Sequence, residues 1–193
     1  MARTKEFDED AVLLKAMRLF WEQGYEKTSM ADLVSHMGVH KRSLYDTFGD
    51  KHSLYMKTLK RYGDIIQQWT ARIVKNSGSA EDAIRKLLQM TIKREDGTPR
   101  GCLMINTAVE LALHDEEFQA WVKEGLNGFE ELLRGIITEG QRSGELDASL
   151  DADMLSAYLN NAFTGLRVLG KTTDDNEKLN QIIETTLSVL KHR

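Results

Sequence analysis

Apolar positions recur along this chain at the three- and four-residue spacing of amphipathic helices. Leu13, Ala16, Met17 and Phe20 make the first such stripe. Gly24 stands where that helix would end. Met30, Leu33, Val34 and Met37 repeat the spacing in a shorter helix, with Ser29 and Asp32 placed as a capping box and Gly38 as its stop. A third short helix is predicted over 40–47, broken by Gly49. Asp50 then caps a fourth reaching about Asn76. Further helices are predicted at 80–94, 102–113, 116–142, 151–170 and 175–191, separated by polar loops at 76–82 and 95–101 and by SGELDASL and KTTDDN. With no long β-branched alternation and no repeat, the predicted fold class is all-α with about nine helices.

Composition narrows the class further. The chain has 193 residues, 41% hydrophobic and 29% charged, as in an ordinary globular protein. Cys102 is the single cysteine, so no internal disulfide can form, which suits a reducing cytoplasm. The first twenty residues do not pair a basic run with an apolar one, and no apolar stretch approaches the ~20 residues of a membrane span. A cytoplasmic protein without a membrane partner is therefore expected. Of His36, His40, His52, His114 and His192, only His36 and His40 stand four apart, and the helix stop at Gly38 falls between them, so no metal, no cofactor and no enzymatic activity are expected. The formal net charge is −4, but residues 1–62 hold 11 Lys and Arg against 9 Asp and Glu, whereas the remainder holds 15 against 21.

The cations of the first region sit in unusual places. Lys41 and Arg42 fall in the first turn of the third predicted helix, and Lys51 in the first turn of the fourth. Helix N-termini carry partial positive charge, so each cation there is disfavoured by about 0.3–1 kcal/mol. The conflict disappears if an anion such as a DNA phosphate lies against both helix ends. The two short helices joined through Met37-Gly38-Val39 make a helix-turn-helix, in which Leu44 anchors the second helix and Lys41, Arg42 and Tyr45 lie outward. Arginine can fork onto guanine O6 and N7, and a tyrosine hydroxyl can donate to phosphate.

The stretch FWEQGYEKTSMADLVSHMGVHKRSLYDTFGDKHSLY, residues 20–55, resembles the N-terminal domain of TetR-type (TetR/AcrR) transcriptional regulators. Phe20, Gly24, Tyr25, Thr28, Gly38-Val39, Leu44-Tyr45, Phe48, Lys51 and Leu54 carry the resemblance. It implies a DNA-binding domain over 1–50 and a helical ligand-binding and dimerisation domain over 51–193. It implies a ligand-responsive homodimer, most often a repressor, that binds a palindromic double-stranded operator and is released by a small-molecule effector. It also implies that Thr28, Tyr45 and Lys51 touch phosphates and that His40, Lys41 and Arg42 approach bases. His40 departs from the pattern, because the family usually has a small capping residue there. Its cap is then weak, or its ring is free for DNA.

RGCLMINTAVELA (100–112) and EGQRSGEL (139–146) are similar to segments of one subset of the family. The candidate effector pocket comprises Trp69, Ile73, Leu87, Met90, Cys102, Met104, Ile105, Asn106, Glu110, Phe118 and Trp121, although the apolar members can equally be core and the polar ones a solvated face. The expected dimer interface takes Leu155, Tyr158, Leu159, Ala162, Phe163 and Leu166 from one helix and Ile182, Ile183, Leu187 and Leu190 from the next; these stripes can also pack within the subunit. Cys102 beside Arg100 at a helix start is either a thiol sensor of oxidants or electrophiles or a small buried hydrophobe. An architectural DNA binder and a helical-bundle enzyme are the remaining alternatives. Acidity opposes the first, and sparse histidine spacing opposes the second.

Overall fold

A computed structural model of the protein describes residues 7–92 and 97–190. Among them, nine α-helices follow in chain order: α1 Glu9–Gln23, α2 Met30–Met37, α3 Lys41–Phe48, α4 Lys51–Lys75, α5 Ala80–Gln89, α6 Leu103–Glu110, α7 Glu116–Ser143, α8 Ala152–Thr172 and α9 Asn176–Leu187. Seven begin under an Asp or Ser side chain that accepts from the first-turn N–H groups: Asp8, Ser29, Asp50, Ser79, Asp115, Asp151 and Asp175. The exceptions are α3 and α6, started by His40 and Cys102 without a side-chain cap. Ser29 and Asp32 form the expected reciprocal capping box.

Several helices are shorter than their apolar periodicity suggests. α5 gives way after Gln89 to turns in which Thr91 N–H donates to Leu88 O at 3.0 Å and Ile92 N–H to Gln89 O at 3.1 Å. The rest of the predicted helix, residues 93 and 94, and the start of the 95–101 loop lie outside the described residues. α6 stops at Glu110, because Leu111 leaves helical geometry at φ −124°. α9 tightens into a 3₁₀ turn at Ser188–Leu190. Lys191, His192 and Arg193 lie outside the described residues.

Two hydrophobic cores divide the molecule. The first gathers α1 to α3 and the start of α4, with Phe20 edge-on to Tyr55 at 4.8 Å, and also takes Cys102, Leu103 and Ile105 at the start of α6 and Phe118 of α7. The second joins α5, the later part of α7, α8 and α9. α4 runs through both: Leu54, Tyr55 and Tyr62 belong to the first core, while Trp69 and Ile73 pack against the second. No described helix is long and apolar enough to cross a membrane.

Candidate nucleic-acid interface

The turn between α2 and α3 depends on Gly38, whose backbone adopts the left-handed conformation at φ 72°, ψ 34°. A side chain there would be strained, so glycine sets the angle between the helices. Leu33, Met37 and Leu44 bury the inner faces. With Leu44 and Phe48 inward, helical geometry turns Lys41, Arg42 and Tyr45 to solvent, next to the exposed N-cap His40. Arg42 Nε lies 3.7 Å from Asp46 Oδ2, but the two side chains are 86% and 68% exposed. Such a pair contributes little and leaves Arg42 available to a stronger acceptor.

First-turn charge separates α3 and α4 from most of the other helices. Acids occupy the first turn of α1, α2, α5, α7, α8 and α9, whereas α3 and α4 have none there. Lys51, half-buried, rests with Nζ 4.2 Å from the centroid of the Tyr25 ring. That aromatic face holds the ammonium at the start of α4 by cation–π attraction. His40, Lys41, Arg42, Tyr45 and Lys51 are thus carried by α3, its N-cap and the adjoining start of α4. Spacing alone did not reveal Tyr25 as the seat of Lys51.

Thr28 departs from its implied role. Its side chain is fully buried, and its hydroxyl donates to Gly24 O at 2.6 Å. The hydroxyl closes the turn after α1 and is not presented to a phosphate.

Polar ties fasten this region to the rest of the molecule. The Glu110 carboxylate accepts from the backbone N–H groups of Tyr25 at 3.0 Å and Glu26 at 2.8 Å. Asn106 donates through Nδ2 to Trp21 O at 3.3 Å and accepts from Lys171 Nζ at 3.0 Å. His52 of α4 meets Asp115, the cap of α7, at 3.0 Å. The backbone N–H of Phe118 is the main cause holding the Asp115 carboxyl below the usual carboxylate range, and His52 adds to it. Glu110 therefore ties α6 to the turn after α1, and Asn106 ties it to the end of α1.

The remaining pocket candidates do not share one chamber, because α6 packs into the first core and away from α5. Ile73 and Leu87 belong to the second core; Phe118 belongs to the first, and Met104 and Trp121 pack against it. Trp69 and Met90 line a partly open space of about 40 Å³ between α1, α4, the end of α5, residues 98–101 and α8. Cys102, Ile105, Asn106 and Glu110 border an open surface groove of about 540 Å³. Cys102 is buried, and its Sγ accepts a hydrogen bond from Tyr62 Oη at 3.2 Å. Burial raises the Tyr62 hydroxyl well above its ordinary pKa, so it remains a donor to that sulfur. This is the environment of a buried core sulfur.

The expected dimer stripes are also largely internal. Leu159, Phe163, Leu166, Ile183, Leu187 and Leu190 are buried in the second core, with Leu155 and Ile182 packed against it and Ala162 half-buried. Tyr158 alone of that set is exposed, in line with Met154, Val168 and Leu169 on the outer face of α8.

Comparison with known proteins bears on the whole chain. Residues 12–56 match the family described as bacterial regulatory proteins, tetR family. Residues 80–186 match the tetracyclin repressor-like C-terminal domain. The HTH-type transcriptional regulator YezE of Bacillus subtilis is 33% identical over 193 residues, covering 98% of this chain and 100% of its own. The HTH-type transcriptional repressor ComR of Escherichia coli is 34% identical over 188 residues, 96% of this chain and 90% of its own. Among solved structures, a cysteine mutant of the TetR family transcriptional regulator CifR, complexed with 26-bp double-strand operator DNA, superposes with a TM-score of 0.87 at 26% identity, covering 98% of this chain and 100% of that one.

Proposed function

This chain belongs to the TetR family of bacterial regulatory proteins, and from that premise we propose that it is a repressor that binds a palindromic operator as a homodimer in the cytoplasm and is released by a small-molecule effector. The observation that carries this reading is the outward Lys41, Arg42 and Tyr45 face of α3, on a helix with no acid in its first turn. Each subunit places α3 in the major groove, with residues 40–42 toward base edges and Tyr45 and Lys51 on phosphates. Residues 1–50 form the reading head, and 51–193 the part that pairs and responds. The first core and the Glu110 and Asn106 ties give a route between them, since any shift of α6 is felt at Trp21, Tyr25 and Glu26. Coupling of this kind is reciprocal: an effector that weakens DNA binding is itself bound more weakly by the DNA complex.

The test is titration of the purified protein against DNA from immediately upstream of its own gene, at two salt concentrations and with excess unrelated DNA. Saturable binding that survives competitor is expected. Selection from random DNA follows if it does not, and failure to enrich any palindrome there would overturn the repressor reading.

A further inference from the structure

The space at the junction of α1, α4, the end of α5, residues 98–101 and α8 has on its walls two buried hydrogen-bond donors without acceptors among the described residues. Trp21 is 7% exposed and Arg167 8% exposed, and both line that space of about 40 Å³. Trp21 Nε1 and Arg167 Nε have no hydrogen-bond partner among the described residues. Arg167 does use Nη1, which donates to Gly101 O at 3.3 Å, and its guanidinium lies 4.8 Å from the centroid of the Phe163 ring. Among the described residues no carboxylate pairs with it. A guanidinium cannot neutralise itself by losing its proton at ordinary pH. A buried cation without a counter-ion is costly, and an unpaired buried donor adds about 1–3 kcal/mol.

The walls tell the shape of what would relieve this cost. Ile66, Trp69 and Met90 give an apolar surface, and the carbonyl of Gly101 is already taken by Arg167. Gly170 closes one side: a Cβ there would stand 2.5 Å from the Thr91 carbonyl oxygen, so only glycine lets α8 approach the end of α5 so closely. A single water needs about 10–15 Å³, so the present space admits a small acceptor headgroup. Met90, unbranched and adaptable, can yield to an attached tail.

We propose that this junction binds the carboxylate of a small apolar acid, with Arg167 as counter-ion and Trp21 Nε1–H as second donor, and that this acid is the effector. The proposal rests on the regulator reading for its consequence and on the two orphaned donors for its chemistry. Trp21 lies on α1, so the occupant touches the DNA-binding end directly. A carboxylate that draws on the Trp21 indole pulls at the same residue whose carbonyl Asn106 holds.

The experiment is calorimetric titration of the intact protein with straight-chain carboxylates from acetate to octanoate, benzoate and phenylacetate, each beside its neutral primary amide. At least one carboxylate is expected to bind, with its amide tenfold or more weaker. Arg167→Met keeps the stem and removes the charge, and is expected to lose binding tenfold or more. Trp21→Phe keeps a ring and removes the donor, and is expected to weaken binding severalfold. Thermal unfolding of both variants confirms that they remain folded. The carboxylate that binds is expected to release wild-type protein from its selected DNA. The inference is overturned if no acid in the panel binds, if the amide binds as well as the acid, if Arg167→Met retains wild-type affinity, or if the bound acid leaves DNA affinity unchanged. DNA binding without ligand is scored separately: its failure counts against the regulator reading, while the acid-versus-amide comparison still decides the site.

Discussion

Arg42 extends from the second position of α3, exposed, with Asp46 at 3.7 Å. Arg42→Ala is expected to cost about 1–3 kcal/mol on the selected operator and to relax preference at one base position, measured by titration of single-base variants. Lys51→Ala should instead weaken all sequences alike and lower the salt slope by about one. Thr28 gives the opposite expectation. Because its hydroxyl is spent on Gly24 O, Thr28→Val should lower stability by about 1 kcal/mol, read from the urea midpoint at constant slope, while DNA affinity of the folded protein stays within about twofold. Unchanged stability with lost affinity would restore the phosphate role. The exposed cations were legible in the sequence because Lys41, Arg42, Leu44 and Tyr45 lie within one turn or so, where helical geometry alone sorts inside from outside. Thr28, Asn106 and Glu110 were not legible in the same way. The Thr28 hydroxyl turns back to a carbonyl four residues away, and Glu110 finds its N–H partners 84 and 85 positions earlier.

At the scale of elements, caps decided where helices begin, and Ser29 and Asp50 were readable as such before an apolar stripe. Helix ends were less so, because apolar spacing continues through turns such as Met90–Ile92 and Leu111–His114 that still need burial but no longer repeat the helical bond. The Asp115 cap joins two elements, since it starts α7 and meets His52 of α4. Its folded-state pKa lies below the ordinary value, so its contribution is complete above about pH 4, the unfolded value, and is lost as pH falls through the folded value. The stability difference between wild type and Asp115→Asn should therefore be constant near neutrality and shrink below about pH 4, as followed by chemical unfolding across pH. A difference that instead stayed flat to well below about pH 4 would show that the cap carries no ionic contribution. The apolar stripes of α8 and α9 were legible, and most of their residues pack within the subunit, the alternative that the spacing left open. A sequence shows that a face is apolar without showing whether its cover is a helix of the same subunit, here α7 over α8 and α5 over α9, or a second copy.

For the whole molecule, the outer face of α8 is where an assembly prediction belongs. Met154, Tyr158 and Val168 recur at intervals that keep them on one side of that helix, and all are exposed. If the protein pairs through this face, Val168→Glu should give monomers by sedimentation equilibrium and should abolish binding to a full palindrome more than to a half-site. Retention of the dimer would move the interface elsewhere. The shared first core has a consequence for attempts to rewire the protein. Leu103 and Ile105 of α6 and Phe118 of α7 complete the packing around Phe20 and Tyr55, and Glu110 satisfies the N–H groups of Tyr25 and Glu26. A chimera that grafts the first fifty residues onto the body of a relative would therefore inherit a mismatched seam. The transplantable unit is α1 to α4 together with α6 and the start of α7, two stretches separated in the chain, and recombination between relatives would have to exchange both at once to keep a working switch.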